Sequence, residues 1–376
     1  MKIQINIYKL TNILLFLSVF VASCEKQEDS EPDTINFDSE IPIDVPLSTT
    51  FQGHPGIFVL GQVDVPMPTS EYAKAFVAGA AVRTTWQSIE PTPGNYVWSF
   101  LDTEVKNARE ANKKISISVL GNPDWLEAQG VPMYEFIDIK PTSSTFGQTL
   151  KAPITWSNEF VNKLSGLVNA LAAKYANDTT VAYINAISGK MNNNLPATVA
   201  SGENFWTATN YNPDTLLTKM NKILDVYMEA FPKTPSWNSV ENVSFEKAAS
   251  GKEGNYVITG FAEYGAKTYP DRFGVWREDL SGCTNITTTT GHWGVVTSHP
   301  FRNGAQMLWN VQDGPDFRMN NCGNLTAIKD SVLKAAFDVG TSIKMRYAEV
   351  YKVDVDDESL VLVLQAGSDA LKANAN

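Results

Sequence analysis

From residue 57 onward, short apolar runs alternate with amphipathic segments, and this alternation limits the fold more than any other feature of the chain. A short run rich in β-branched and aromatic residues reads as a buried strand, whereas an apolar stripe recurring every three to four residues reads as a helix. Strands are predicted at Gly56–Val63, Ala81–Trp86, Ile115–Leu120, Val181–Ile187, Pro235–Val240, Arg272–Trp276, Ala305–Asn310 and Met345–Val353. Helices fit between them at Ser70–Ala78, Phe100–Asn112, Asn158–Tyr175, Pro213–Phe231, Tyr256–Thr268, His292–Thr297 and Leu325–Gly340. In the last of these Leu325, Ile328, Val332, Leu333 and Ala336 mark one face. A final segment, Ser359–Lys372, is either the eighth helix or a closing strand. Eight strand-then-helix units over about 315 residues specify an α/β fold, a single-domain (β/α)8 TIM barrel. The competing doubly wound sheet lacks support, because no glycine-rich phosphate loop follows the first strand.

In such a barrel the working face is formed by the strand C-termini and the loops that leave them. The nine tryptophans sort towards it. Trp86, Trp276 and Trp309 end or nearly end strands, Trp237 lies in one, and Trp98, Trp125, Trp156, Trp206 and Trp293 fall between a strand and the next helix. Flat aromatic rings suit the C–H face of a sugar, with neighbouring polar groups reading its hydroxyls. A carbohydrate groove involving Trp86, Trp125, Trp276, Trp293 and Trp309 is therefore expected, although each ring taken singly also fits core packing. A formal charge of −11 argues against nucleic acid or an anionic membrane surface as partner, since both are bound through clustered Lys and Arg. His54, His292 and His299 show no ligand spacing, so neither a metal nor another cofactor is expected.

The first residues read as a targeting segment. Lys2 and Lys9 flank a polar start, and Ile13 to Val21 form an apolar run too short to span a bilayer. The following Val21-Ala22-Ser23-Cys24 resembles the lipobox of bacterial lipoproteins. That resemblance implies removal of residues 1–23, a lipid on Cys24, an anchor in the bacterial outer membrane at the cell surface or periplasm, and a mature charge of −13. An ordinary signal peptide cut elsewhere is the alternative. Residues 24–50 read as a flexible, acidic tether, leaving 51–376 for the barrel. With Cys24 lipidated, Cys283 and Cys322 remain either as a disulfide in an oxidising compartment or as two free thiols.

The stretch VRTTWQSIEPTPGNYVWSFLD, residues 82–102, resembles the R-x-x-W-x-x-I-E-P-x-x-G-x-Y-x-W-x-x-L-D signature of barrel glycoside hydrolases related to the β-galactosidases and cellulases of the large retaining clan. ISISVLGNPDWL (115–126) is similar to their third strand and the loop after it, and LAAKYANDTTVAY (171–183) to the approach to their fourth. The resemblance implies a poly- or oligosaccharide partner and two carboxyl groups at the ends of strands 4 and 7. It also implies that Arg83 helps to orient the nucleophile. Glu90 reads as a carboxylate that organises its proline-rich loop.

Strand 4 departs from the pattern. It ends in SGKMNNN, residues 188–194, without a carboxylate. Asn192, Asn193 or Asn194 can hold a sugar hydroxyl but cannot deliver a proton. Glu203 lies further along that loop; beyond strand 7, Asn310 can contact sugar, and Asp313 reads as a turn residue before Gly314-Pro315. Better placed is Glu349 within strand 8, with Tyr347 and Tyr351 on the same face by the two-residue period. Glu278 or Asp279, leaving strand 6, is its expected mate. Arg277 is a candidate substrate contact, and it or Arg83 the partner that a buried Glu349 requires. A structural ion pair is the bland alternative. Two functions follow: a two-carboxylate glycoside hydrolase, or a non-catalytic surface glycan-binding protein descended from one.

Overall fold

A computed structural model of the chain describes residues 51–138, 143–187, 211–240, 255–288, 291–312, 319 and 328–375. Eight parallel strands close into a barrel: β1 (Gly56–Leu60), β2 (Val77–Thr85), β3 (Lys114–Leu120), β6 (Val181–Ile187), β7 (Ser236–Ser239), β8 (Phe273–Leu280), β9 (Asn303–Met307) and β10 (Tyr347–Tyr351), with β10 pairing back to β1. The remaining strands, β4 (Met133–Ile137) and β5 (Thr149–Pro153), form an antiparallel hairpin inserted after β3. Helices lie between the barrel strands: α1 (Thr69–Ala73), α2 (Trp86–Ile89), α3 (Ser99–Glu110), α4 (Asn158–Tyr175), α5 (Pro213–Ala230), α6 (Tyr256–Thr268), α7 (Gly291–Thr297), α8 (Lys329–Ser342), α9 (Lys352–Val355) and α10 (Val361–Ala373). The expected TIM barrel is thus the fold, and α4 and α6 carry the expected bounds. Ser157 starts α4 by accepting the Phe160 amide at 3.1 Å, and Asn212 starts α5 ahead of Pro213 by accepting from Asp214 at 2.8 Å.

Several expected bounds are corrected. Helix α1 is one short turn, and β2 begins at Val77, where a helix was expected to continue. The small residues of Val77-Ala78-Gly79-Ala80 suit helix and strand alike, but a Cβ at Gly79 would lie 2.2 Å from the Lys114 carbonyl oxygen. Only glycine permits that approach of β2 to β3. Strand β9 ends at Met307, so Trp309 and Asn310 belong to the loop. Helix α8 begins at Lys329, and Ile328 is 66% exposed ahead of it instead of joining its buried face. The closing segment is helical.

Side chains alternate across each strand, one set packing outward on the helices and the other filling the lumen. Phe58, Tyr183, Trp237 and Tyr347 interlock there as a fully buried aromatic plug, with ring centroids 4.7 to 5.7 Å apart. The segment preceding β1 seals the end where the strands begin. Phe51 packs on Trp237 at 5.4 Å, the Arg346 guanidinium lies 5.5 Å over the Phe51 ring, and the Tyr183 hydroxyl donates to the His54 carbonyl at 2.7 Å. Among the described residues this closure lies at the end opposite the strand C-termini. Trp237→Ala should lower the unfolding free energy by about 3–5 kcal/mol, read as a displaced midpoint in chemical denaturation.

Candidate active site at the mouth of the barrel

Above the plug the lumen turns polar. In β3 the serines of the ISIS run face inward, while Ile115 and Ile117 belong to the outer core. Ser118 pairs in register with Arg83 on one side and Asn185 on the other, and Glu349 with Gln306 across β10 and β9. The Tyr347 hydroxyl donates to Glu349 Oε1 at 2.7 Å and lies 2.8 Å from Ser116 Oγ. A phenol has one proton to give, so Ser116 donates to Tyr347 in turn. The relay Ser116, Tyr347, Glu349 thereby fixes a carboxyl group that is only 2% exposed.

Burial pushes the Glu349 carboxyl up to about 7, against the opposing pull of the Tyr347 hydrogen bond and the positive Arg83, while nearby Glu278 pushes it further up. Arg83 donates Nη2 to the Gly61 carbonyl at 2.8 Å, and its buried Nε has no partner among the described residues. Also buried and without partners there are Asn185 Oδ1, Ser239 Oγ and Trp276 Nε1. A native interior leaves few such atoms unpaired. These four belong to strands whose inward faces line the lumen, while other such atoms, Asn221 Oδ1 and Asn303 Oδ1 among them, lie elsewhere.

The two carboxylates that leave β8 part company. Glu278 follows Trp276 onto the lumen side, consistent with its influence on Glu349. Asp279 is engaged by Arg277, with Nε to Oδ1 at 3.0 Å and Nη2 to Oδ2 at 2.8 Å, and by Trp293 Nε1 at 2.9 Å. Asp279, Arg277 and Trp293 therefore form a cluster with α7, and Glu278 is the carboxylate that the structure brings towards Glu349.

The expected sugar platforms differ in access. Trp86, Trp276 and Trp293 are each more than nine-tenths buried, whereas Trp125 and Trp309 are half-buried. Glu90 holds the β2 loop: its Oε2 accepts from Trp86 Nε1 at 2.8 Å, its Oε1 from the Gly94 amide at 2.7 Å, and its carbonyl from Trp125 Nε1 at 2.8 Å. Trp309 packs on Tyr351 with centroids 5.7 Å apart, and Asn310 Oδ1 accepts the Gln312 amide at 2.9 Å in a local turn. Asn194, with Glu203 and Asp313, lies outside the described residues, as do Cys24 and Cys322; Cys283 sits in the loop after β8.

Other members of the site escaped the sequence reading. Ser116, Ser118 and Asn185 were legible as polar residues at every second position of otherwise apolar strands. Gln306, whose Nε2 donates to the Tyr351 hydroxyl at 3.2 Å, followed the same parity. Asp354 carries no such signal. It is fully buried, accepts the Val311 amide on both oxygens at 3.0 and 3.1 Å, and is pushed up to about 6 by burial.

The family model of the family-42 glycoside hydrolases, described as β-galactosidase, matches residues 77–212, from β2 to the start of α5. The fold is a TIM barrel, and over that stretch the chain is similar to glycoside hydrolases. Similar solved structures include the β-galactosidase of the psychrophilic Marinomonas ef1, at 12% identity and a TM-score of 0.47, covering 84% of this chain. The chain spans 59% of the length of that enzyme. The β-amylase catalytic domain of Paenibacillus polymyxa is 12% identical with a TM-score of 0.49, over 85% of this chain and 99% of its own. Xylanase 10B of Thermotoga maritima is 11% identical with a TM-score of 0.46, over 88% and 98%. No curated protein matches the chain.

The raised Glu349 makes stability depend on pH. Because its folded pKa lies above the unfolded value of 4.5, the folded form holds the extra proton, and the resulting stability is complete below 4.5 and lost as pH rises through about 7. Glu349→Gln removes the ionisation and should raise the melting temperature at pH 8, by the equivalent of up to about 3 kcal/mol, with little change at pH 4. Equal effects at both values would mean that the carboxyl is not held in this way.

Proposed function

We propose that this barrel is a lipid-anchored surface or periplasmic protein that binds an oligo- or polysaccharide at its mouth and hydrolyses it with Glu349 and Glu278. The observation that carries the reading is the buried carboxyl of Glu349, held by Tyr347 and raised to about 7, with Glu278 and Arg83 close enough to influence its charge. A carboxyl that keeps its proton near neutrality suits a general acid. In the step envisaged, the Glu349 proton passes to the glycosidic oxygen as the C–O bond breaks, and the leaving alcohol departs. Water then adds to the anomeric carbon and gives its proton to the Glu278 carboxylate. Arg83, Asn185, Ser239 and Trp276 would hold sugar hydroxyls, with Trp125 and Trp309 at the edges. Cys24 as the lipid site and a Cys283–Cys322 bridge belong to the same proposal.

A second reading, a non-catalytic glycan-binding protein, is favoured by one feature: SGKMNNN after β6 offers no carboxylate where the resembled hydrolases have one. Chromatographic product analysis after incubating the purified protein with plant, algal and host glycans separates the two. Hydrolysis predicts new oligosaccharides, lost at least about a hundredfold in Glu349→Gln. A rise in melting temperature with a glycan but no product would establish the binder instead. If hydrolysis occurs, its rate should fall as pH rises through about 7. Tyr347→Phe, which removes a hydrogen bond that lowers the Glu349 pKa, should move that fall to higher pH.

A further inference from the structure

Three polar side chains stand in a row across the lumen wall. Ser116 faces inward, since it bonds Tyr347, and Ser118 two positions on shares that face. Ser118 pairs in register with Arg83 of β2 and with Asn185 of β6, so the three side chains line one face, with about 4.8 Å between neighbouring strands. The row lies wholly within β2, β3 and β6. It is close to the buried carboxyl as well, because Arg83 influences the ionisation of both Glu349 and Tyr351.

The row has hydrogen-bonding capacity left over. Asn185 is 2% exposed and its Oδ1 accepts from no group, while the buried Nε of Arg83 donates to none. Arg83 also differs from other arginines of the chain. Arg109, Arg272 and Arg277 face Asp178, Asp271 and Asp279, and Arg346 donates to the carbonyls of Phe51, Gly53 and Phe301. Arg83 has one carbonyl, that of Gly61, and no ion pair among the described residues. With 41 acidic residues against 30 lysines and arginines, this is not for want of acids. Of the two carboxyls that share its surroundings, Glu349 is kept protonated towards neutrality by burial, which leaves Glu278. A guanidinium fork suits a carboxylate, which it binds through two parallel hydrogen bonds, better than a lone hydroxyl.

We propose that Arg83 receives the carboxylate of an acidic sugar, with Ser118 and Asn185 binding hydroxyls beside it. This rests on the glycan reading above and narrows its ligand to a glycan that contains hexuronic acid, giving Arg83 a carboxylate to hold in place of a hydroxyl. At long range the formal charge of −11 repels an anion, so the preference has to come from contact with Arg83.

The test is titration calorimetry of the full chain with matched pairs that differ only in oxidation at C6: methyl β-glucuronide against methyl β-glucoside, and methyl β-galacturonide against methyl β-galactoside. In at least one pair the uronide should bind at least about tenfold more tightly. Esterifying its carboxyl, which cancels the ligand's charge and leaves the protein untouched, should erase that gain. Arg83→Met should bring the ratio within the pair to about one or below. Arg83→Lys, which keeps the charge without the fork, should retain only part of it. Uronides that bind no more tightly than their neutral partners overturn the inference while keeping the glycan reading. A uronide preference that survives Arg83→Met in a folded variant also overturns it, because another cation would then hold the carboxylate. Binding of none of the four glycosides sinks both.

Discussion

The hydrogen bond from Tyr347 to Glu349 joins the two halves of this molecule. The ring of Tyr347 belongs to the aromatic plug, where Phe58, Tyr183 and Trp237 surround it, and its hydroxyl is the first polar group above them. Packing energy spent on the ring therefore also positions the acid. Burial of the carboxyl is unfavourable for its charged form, and the same burial keeps its proton at a pH where an exposed glutamate has lost it. The aromatic plug supplies the rigidity that keeps this buried carboxyl in place.

The mouth is held by a recurring device, a buried carboxylate that accepts a loop amide. Glu104 takes the Met67 amide at 2.6 Å and the Tyr72 hydroxyl at 2.7 Å, fixing the loop after β1. Glu90 does this for the loop after β2 through Gly94, and Asp354 for the loop after β9 through Val311. Acids in these positions satisfy backbone donors that a loop crossing the surface would otherwise leave to water. The mouth can then present tryptophans from several strands. Part of the acidic composition is thus architectural.

The eight strands were legible because their apolar runs are short and bounded, and α4 because Ser157 caps a long periodic stripe. Strand β2 was misjudged at its start because alanine and glycine carry no period, so register against β3 decides the matter. The β4–β5 hairpin went unseen among prolines, threonines and lysines that read as loop. Within the site, Glu349 and Tyr347 were found by parity along β10, and Glu90 was identified as a loop organiser from its prolines and glycine. The choice between Glu278 and Asp279 could not be made from sequence. Neighbouring carboxylates look alike until the strand's pairing is known.

That pairing is irregular: between Arg277 and Leu280 the register of β8 on β9 shifts, as at a β-bulge. Alternation along the strand sends the two adjacent acids to opposite sides of one wall, Glu278 to the cavity and Asp279 to the helical jacket. Inserting or deleting a single residue in this stretch would exchange them, placing Asp279 in the lumen without its arginine and Glu278 beside Trp293. Strand β8 is therefore a segment where length, more than residue identity, is under constraint. It is also where a related barrel could acquire a different acid pair by a one-residue slip, with every other strand left in place.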